Sequence, residues 1–581
     1  MIKRVALVAV LALIGAAAAV VVLQPETGVP DDAPSLEDMA RDIGAPIMGL
    51  LQRGHVAERS GELTIVSKPN HYLTRQWDLR TLGTDRPILN TTHPNPWNYL
   101  TRVPIVARGP GFEPGAVVED VTDIAAMAPT YADMLGVEGM EADSDPLPAY
   151  TKPTEPPKAI VTLVLDGGGW NVLREHPDAW PQIGRIMDEG TTYVNATIGS
   201  APATTGALHA TFGTGAYPRS HGLPANLMRD EEGELVDVYL EEADPRFVLR
   251  PSVGDLWDVQ TGNQSVVATV SYEGWHLGMI GQGAAFEGGD NDVAVLWEPG
   301  NEEEGKAEGW WINEEFYELP SYLAETDIAR LETYESELDE RDGLEDETWF
   351  GQPLDGVADP KIRPATPAFV RFTGDAVMDV IEGEGIGTDD VADLLWVEFK
   401  PPDFAGHLYN MINPQVEDVL AATDAQVGRI RSALDAKLGR DNYVIAISAD
   451  HGQQPIPDLR GGWRINTNEI AADVDARFGE GLVQKVTPFD IFFDLDAVEE
   501  HDVDMEEVAR YLGAYTIEEN IPDGLPGMDR VPESRLDETV FAGAFTGEYL
   551  ESLTPDKLTD LGAGTYPESN LLVPQAPTDE G

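Results

Sequence analysis

The sequence predicts an α/β fold, layered around a largely parallel central sheet. Two observations carry that reading. Short runs rich in Val and Ile recur along the chain between turn residues: ELTIVS (62–67), VPIVA (103–107), AIVTLVLD (159–166), SVVATVS (265–271), LLWVEF (394–399) and YVIAISAD (443–450). Helical patterns separate several of them, the longest running from Pro414 to Leu438. Strand and helix in alternation argue for parallel strands joined by helical crossovers.

In chain order, Lys3 and Arg4 precede an uncharged run from Val5 to Leu23. About 20 apolar residues cross a bilayer as a helix. Residues 1–24 therefore read as a single-pass membrane anchor, and the positive flank leaves the body extracytoplasmic. The alternative is a cleaved signal segment on a secreted protein, with Ala17 to Ala19 as the small residues at the cleavage site. Residues 25–60 read as a Pro/Asp-bearing linker with a short helix. The catalytic domain is expected over 61–139 and 159–581, joined by a Pro-rich connector at 140–158. Residues 286–365, acidic and Trp-bearing, read as an inserted cap.

Composition narrows the functions. The chain of 581 residues has 103 acidic and 38 basic side chains, a formal net charge of -65. Such a surface repels a phosphate backbone, so binding to a nucleic-acid polymer is not expected. A small phosphate ester can still bind where metal ions reverse the local field. The absence of cysteine rules out disulfides, thiolate nucleophiles and Cys-based metal sites.

Ligands of open α/β sheets bind at the carboxyl ends of the strands. Asp166 ends IVTLVLDGGG, Asp403 and His407 follow LLWVEFKPPDFAGH, and Asp450 and His451 end YVIAISADHG. One Asp after a strand is commonly a helix cap. Three strand ends carrying carboxylates, two of them with a nearby His, form the donor set of a two-metal site of the zinc class. The segment SAPATTGALHATFGTGAYPRSHGLPAN (200–226) adds Thr205 at the start of a short helix, where free amides favour an anion. Thr205 is then either a nucleophile or, with Thr204, an ordinary helix cap.

Together VLDGGGW, TTGALHATFGTGAYPRSHG, PPDFAGH and SADHGQ resemble the motifs of the nucleotide pyrophosphatase/phosphodiesterase branch of the alkaline phosphatase superfamily. The resemblance implies an alkaline-phosphatase-like fold and two divalent metal ions, zinc foremost. By motif position, Asp166, Thr205, Asp450 and His451 hold one ion, and Asp403 and His407 the other. Thr205 is the nucleophile that passes through a phosphothreonine intermediate, and Asn226 donates to the transferred phosphoryl group. The family takes a third ligand for the second ion from a His downstream of ADHG. Here only His501 remains there, in a charged stretch. The segment TTHPNPWNYLTRVPIVARGPGFEPG (91–115) is similar to the family's late segment, which makes His93 the third ligand and the chain a circular permutation. Relatives specialised for monoesters carry Lys and Arg where this chain has Glu273, Trp275 and His276. The resemblance therefore implies hydrolysis of phosphodiester or pyrophosphate bonds. The alternatives are a phosphomonoesterase of the same superfamily, or a transferase acting on a glycan or lipid head group. Trp97, Phe212 and the pair Trp310 and Trp311 are candidates for stacking on a base.

Overall fold

A computed structural model of the chain describes residues 28–74, 91–240, 243–300, 306–324, 328–341, 343, 346–354, 363–522 and 531–566. The expected anchor at 1–24 lies outside them. Among the described residues no helix is long and apolar enough to cross a membrane. The chain divides into two compact units, one from Met1–Ala45, Gly61–Trp77 and Gly462–Thr565, the other from Pro46–Ser60, Asp78–Gly461 and Tyr566–Gly581.

The strands needed here are β1 (Leu63–Ser67), β2 (Ile105–Arg108), β3 (Ala116–Val118), β4 (Ala159–Leu165), β5 (Thr191–Tyr193), β6 (Val267–Val270), β7 (Asp292–Glu298), β8 (Gly309–Trp311), β9 (Tyr317–Glu318), β10 (Asp393–Phe399), β11 (Tyr443–Ser448), β12 (Val483–Val486), β13 (Asp490–Phe493) and β14 (Phe541–Thr546). The larger unit holds a ten-stranded sheet in the order β8-β7-β6-β10-β4-β11-β2-β5-β3, with β9 beside β7. Pairing is parallel from β7 through β6, β10 and β4 to β11. β2 is antiparallel to both its neighbours, β11 and β5.

Every residue of β4, β10 and β11 is buried, and alternate side chains enter opposite layers. Val161, Leu163 and Leu165 join the layer that holds Leu395, Val397 and Phe399. Ile160 and Val164 join the layer with Leu394 and Trp396. A sheet covered on both faces has no use for polar alternation, which is why these strands read as continuous apolar runs. The first layer holds helices α4 (Pro367–Gly383) and α6 (Pro414–Leu438). The second holds α1 (Met127–Leu135) and α2 (Thr205–Thr214). A further helix, α5 (Pro401–Tyr409), follows β10, and α3 (Val253–Thr261) precedes β6.

Three sequence expectations change. The run 62–67 is a strand, but β1 belongs to the smaller unit, in an antiparallel sheet of order β12-β13-β1-β14. Its apolar run cannot by itself say which sheet will pair with it. Within the proposed cap at 286–365, β7 is an interior strand of the main sheet, hidden in the sequence by its acidic flanks. The 25–60 segment contains two helices, Leu36–Ile43 and Ala45–Gly54, each with buried apolar residues. The connector at 140–158 carries no helix or strand.

In the smaller unit, Asp490 is 4% exposed and accepts a hydrogen bond from Thr64 Oγ1 at 3.1 Å. Burial pushes its carboxyl up to about 7 from the ordinary 3.8, with Thr64 opposing and Glu62 assisting. The native state thus holds this proton more tightly than the unfolded chain. The associated stability is present below the ordinary value and is lost as pH rises through 7. At about 1.4 kcal/mol per pKa unit, the whole loss is on the order of 4 kcal/mol. Replacement by Asn is expected to flatten this slope. In urea titrations of the smaller unit's transition at pH 5 and pH 8, the wild-type midpoint falls more than that of Asp490→Asn. Equal falls would exclude Asp490 as the source.

Candidate active site

The topology places the sequence-predicted side chains along one edge of the main sheet. Asp166 directly follows β4, Asp403 and His407 lie on α5 just after β10, and Asp450 and His451 directly follow β11. Because β2 runs against β11, pairing Ile105 with Ser448, the chain entering β2 arrives at the same edge. That approach brings in His93. β5 runs against β2, so the chain leaving it also emerges there and continues into α2, whose first residue is Thr205.

His93, His407 and His451 are fixed in the same manner. Nδ1 lies 2.7 Å from the carbonyl of Ala203 in His93, 2.6 Å from that of Thr91 in His407 and 2.9 Å from that of Gly452 in His451. A carbonyl oxygen only accepts, so in each neutral ring Nδ1 carries the proton and Nε2 presents a lone pair. The Nε2 atoms of His93 and His407 lie 3.2 Å apart, and 3.4 and 3.3 Å from Asp403 Oδ1. His451 Nε2 lies 3.4 Å from Asp166 Oδ1 and 3.2 Å from Asp450 Oδ2. The His93 and His451 rings stack with centroids 3.5 Å apart. Ligand atoms of His93, Asp403 and His451, and of Asp166, Asp450 and His451, fall within 4.8 Å of one another.

Lone-pair nitrogens of neutral rings and carboxylate oxygens repel at these distances, whereas a protonated His451 attracts Asp166 and Asp450. Asp166 Oδ1, Asp403 Oδ1, Asp450 Oδ2 and His451 Nε2 are buried without a hydrogen-bond partner. Such atoms are costly to bury unless a cation or proton joins them. Carboxylate and imidazole are the donors a zinc-class ion takes. The residues present therefore fit divalent cations. The electrostatics point the same way. Burial works to lower His451, but Asp450, Asp166 and Asp403 raise it to about 9. Burial, seconded by His451, drives His93 well below the usual imidazole range.

Thr205 is 2% exposed. Thr204 occupies the cap position without a side-chain cap hydrogen bond. Asn226 Oδ1 instead accepts from the Gly206 amide at 2.8 Å. The Asn226 amide group, its oxygen so engaged, turns its Nδ2 donors elsewhere, while the Gly206 N–H is no longer free for an anion. His209, one turn on, lies with Nδ1 2.9 Å from the Thr205 carbonyl.

The structure adds two residues that the sequence reading passed over. Lys400 is 4% exposed, with Nζ 2.8 Å from both Asp166 Oδ2 and Asp403 Oδ2. Glu398 is 1% exposed, and neither carboxylate oxygen has a hydrogen-bond partner. Burial, with Asp166 beside it, pushes its acid well above the ordinary carboxyl range. A signal was available: both charges interrupt the apolar run LLWVEFK. His276, noted in the sequence only as standing in place of a cationic pair, also joins this cluster. It is fully buried, with Nε2 3.5 Å from Asp166 Oδ2 and 3.6 Å from Glu398 Oε2.

His501 is exposed at the end of the helix Leu495–Glu500 in the smaller unit. Phe212 is fully buried in the core, and Trp310 stacks on Phe372 at 5.1 Å. Trp97 is also buried, against the Tyr566 ring.

The model of the family described as type I phosphodiesterase / nucleotide pyrophosphatase matches residues 160–534. A protein of Myroides odoratus described as a calcium-transporting ATPase is 24% identical over 409 residues, covering 61% of this chain and 72% of its own. Alkaline phosphatase PafA of Elizabethkingia meningoseptica is 22% identical over 438 residues, covering 67% of this chain and 79% of its own. Alkaline phosphatase PhoV of Synechococcus elongatus is 23% identical over 414 residues, covering 63% and 72%. The crystal structure of wild-type PafA superposes with a TM-score of 0.51 at 21% identity, covering 61% of this chain and 76% of that one, a likeness of fold. The chain belongs to the type I phosphodiesterase/nucleotide pyrophosphatase family within the alkaline phosphatase superfamily, and is a phosphoester hydrolase.

Proposed function

We propose that the chain cleaves phosphodiester or pyrophosphate bonds of small substrates with Thr205 as nucleophile and two divalent cations, zinc foremost. The observation that carries the reading is the pair of Nε2 lone pairs on His93 and His407, 3.2 Å apart over Asp403. With both rings neutral and protonated at Nδ1, neither Nε2 can donate to the other, and a shared cation relieves both. One ion is assigned to Asp166, Thr205, Asp450 and His451, the other to Asp403, His407 and His93. Such ions, when bound, lower the pKa of a hydroxyl and neutralise a leaving oxygen.

The chain's own part is positioning. Thr205 Oγ attacks phosphorus, the ester oxygen departs on the opposite side, and water then hydrolyses the phosphothreonine. Asn226 Nδ2 donates to a non-bridging oxygen of the transferred group. Gly206 N–H fixes Asn226 for this, so the helix start orients the donor instead of binding the anion itself.

A circular permutation, with 91–115 standing for the family's late segment, is supported by two facts. The family match begins at residue 160, after this segment, yet His93 lies against Asp403. The N-terminal run is proposed as a membrane anchor with the catalytic units extracytoplasmic.

The likeness to alkaline phosphatases PafA and PhoV favours a second reading, a phosphomonoesterase. Against it, Glu273, Trp275 and His276 stand at the sequence positions where monoester-specialised relatives carry Lys and Arg.

Three outcomes are expected. Thr205→Ala lowers turnover of bis(p-nitrophenyl) phosphate by at least about a thousandfold with bound metal retained, while His93→Ala loses metal and activity together. Chelation silences the wild type and added Zn2+ restores it. Activity that survives chelation would refute the mechanism. In the second experiment, kcat/KM for bis(p-nitrophenyl) phosphate exceeds that for p-nitrophenyl phosphate, and the reverse order establishes the monoesterase. In the third, the full-length chain fractionates with membranes and is released by detergent but not by high salt. Recovery in the soluble extracellular fraction would instead mean a cleaved leader.

A further inference from the structure

Asp166 and Asp403 divide their oxygens similarly, with His276 Nε2 a further neighbour of Asp166 Oδ2 at 3.5 Å. Oδ2 of each accepts from Lys400 Nζ, at 2.8 Å in both cases. Oδ1 of each has no hydrogen-bond partner and faces imidazole Nε2 atoms: His451 at 3.4 Å from Asp166, His407 and His93 at 3.3 and 3.4 Å from Asp403. These carboxylates follow different strands and are assigned above to different cations. One buried ammonium joins them.

The backbone is built for this approach. Lys400 precedes the first residue of α5, and Asp403 sits in that helix's first turn, so the two side chains share one end of the helix. Gly167, after Asp166, has φ +68, and a Cβ there would stand 3.1 Å from Asp403 Cα and 2.5 Å from Gln453 Nε2. A side chain at 167 would force the two acids apart.

We propose that Lys400 is a positioning residue of the two-cation site: it commits one oxygen of each carboxylate, so that each acid presents a single oxygen to a metal ion, and its charge holds the two acids together in the metal-free chain. The inference rests on the two-cation reading. It has two linked consequences. Without metal, Asp166 and Asp403 keep a buried counter-charge and the site stays folded. With metal, the ammonium opposes the incoming ions, so affinity is held below what the bare carboxylates would give. In a closed thermodynamic cycle these are one quantity. Whatever stability Lys400 adds to the metal-free form alone is subtracted from metal binding.

A lysine that only filled space would act differently, because its loss would weaken the metal-free and metal-loaded forms alike. Lys400→Met keeps the unbranched chain and removes the charge. Phe404→Leu, whose ring lies 5.2 Å from Nζ, keeps the charge and disturbs the packing. The full chain of each variant is melted after dialysis against chelator and after loading with Zn2+, bound metal is counted by mass spectrometry, and Zn2+ affinity is measured by chelator competition. The metal-free midpoint of Lys400→Met is expected to drop by about 5 °C or more, while the Zn2+-loaded midpoint stays near wild type. Its Zn2+ affinity rises at least about tenfold. A variant that folds only with Zn2+ gives the same answer in stronger form. Phe404→Leu lowers both midpoints together. Equal falls in Lys400→Met, folding under neither condition, or unchanged affinity overturn the inference and leave the two-cation reading standing. A wild-type chain that takes up no Zn2+ overturns that reading instead.

Discussion

The architecture turns on four carboxyl groups, Asp166, Glu398, Asp403 and Asp450, buried to 1% exposure or less at the carboxyl edge of one sheet. A buried anion without a partner is among the most costly features a protein can carry. Each acid here is answered in its own way. Glu398 holds its proton more tightly than an ordinary carboxyl. Asp166 and Asp403 each give one oxygen to Lys400, and their other oxygens turn toward imidazoles. Asp450 spends one oxygen on the Gly167 amide at 3.1 Å and faces His451 with the other.

Histidine orientation follows from the same need. A ring whose Nδ1–H is tied to a main-chain carbonyl has its tautomer fixed before any ligand arrives. His93, His407 and His451 are all held so, by carbonyls of Ala203, Thr91 and Gly452. What orients these three rings is therefore backbone, set by the path of the loops. That arrangement makes the loop before β2 as much a part of the site as the strand ends.

Acidity over the whole chain and cationic chemistry at the site are compatible because they act at different ranges. The surface charges are solvated and screened within about a Debye length. Lys400 and the buried carboxylates and imidazoles act over a few ångströms in a dry interior, where charge interactions are far stronger. A small anion thus meets a field set by its immediate neighbours.

Much of the site was legible in the sequence because strand-end chemistry is local. Asp166, Asp403, His407, Asp450 and His451 each stand within a few residues of an apolar run, and Thr205 opens the helix expected there. The long helix is found over Pro414–Leu438 as its pattern predicts. What lay beyond the sequence concerns partners. An apolar run such as 62–67 states that it will pair, but hydrogen bonding between strands is blind to sequence distance, and only the folded chain assigns it to the antiparallel sheet. The role of Lys400 was hidden for the same reason. A lysine beside a strand reads as solvated until a second carboxylate, carried on a neighbouring strand and allowed close by a glycine, encloses it. Local chemistry fixed which groups stand at the sheet edge, and tertiary packing decided which of them share a charge.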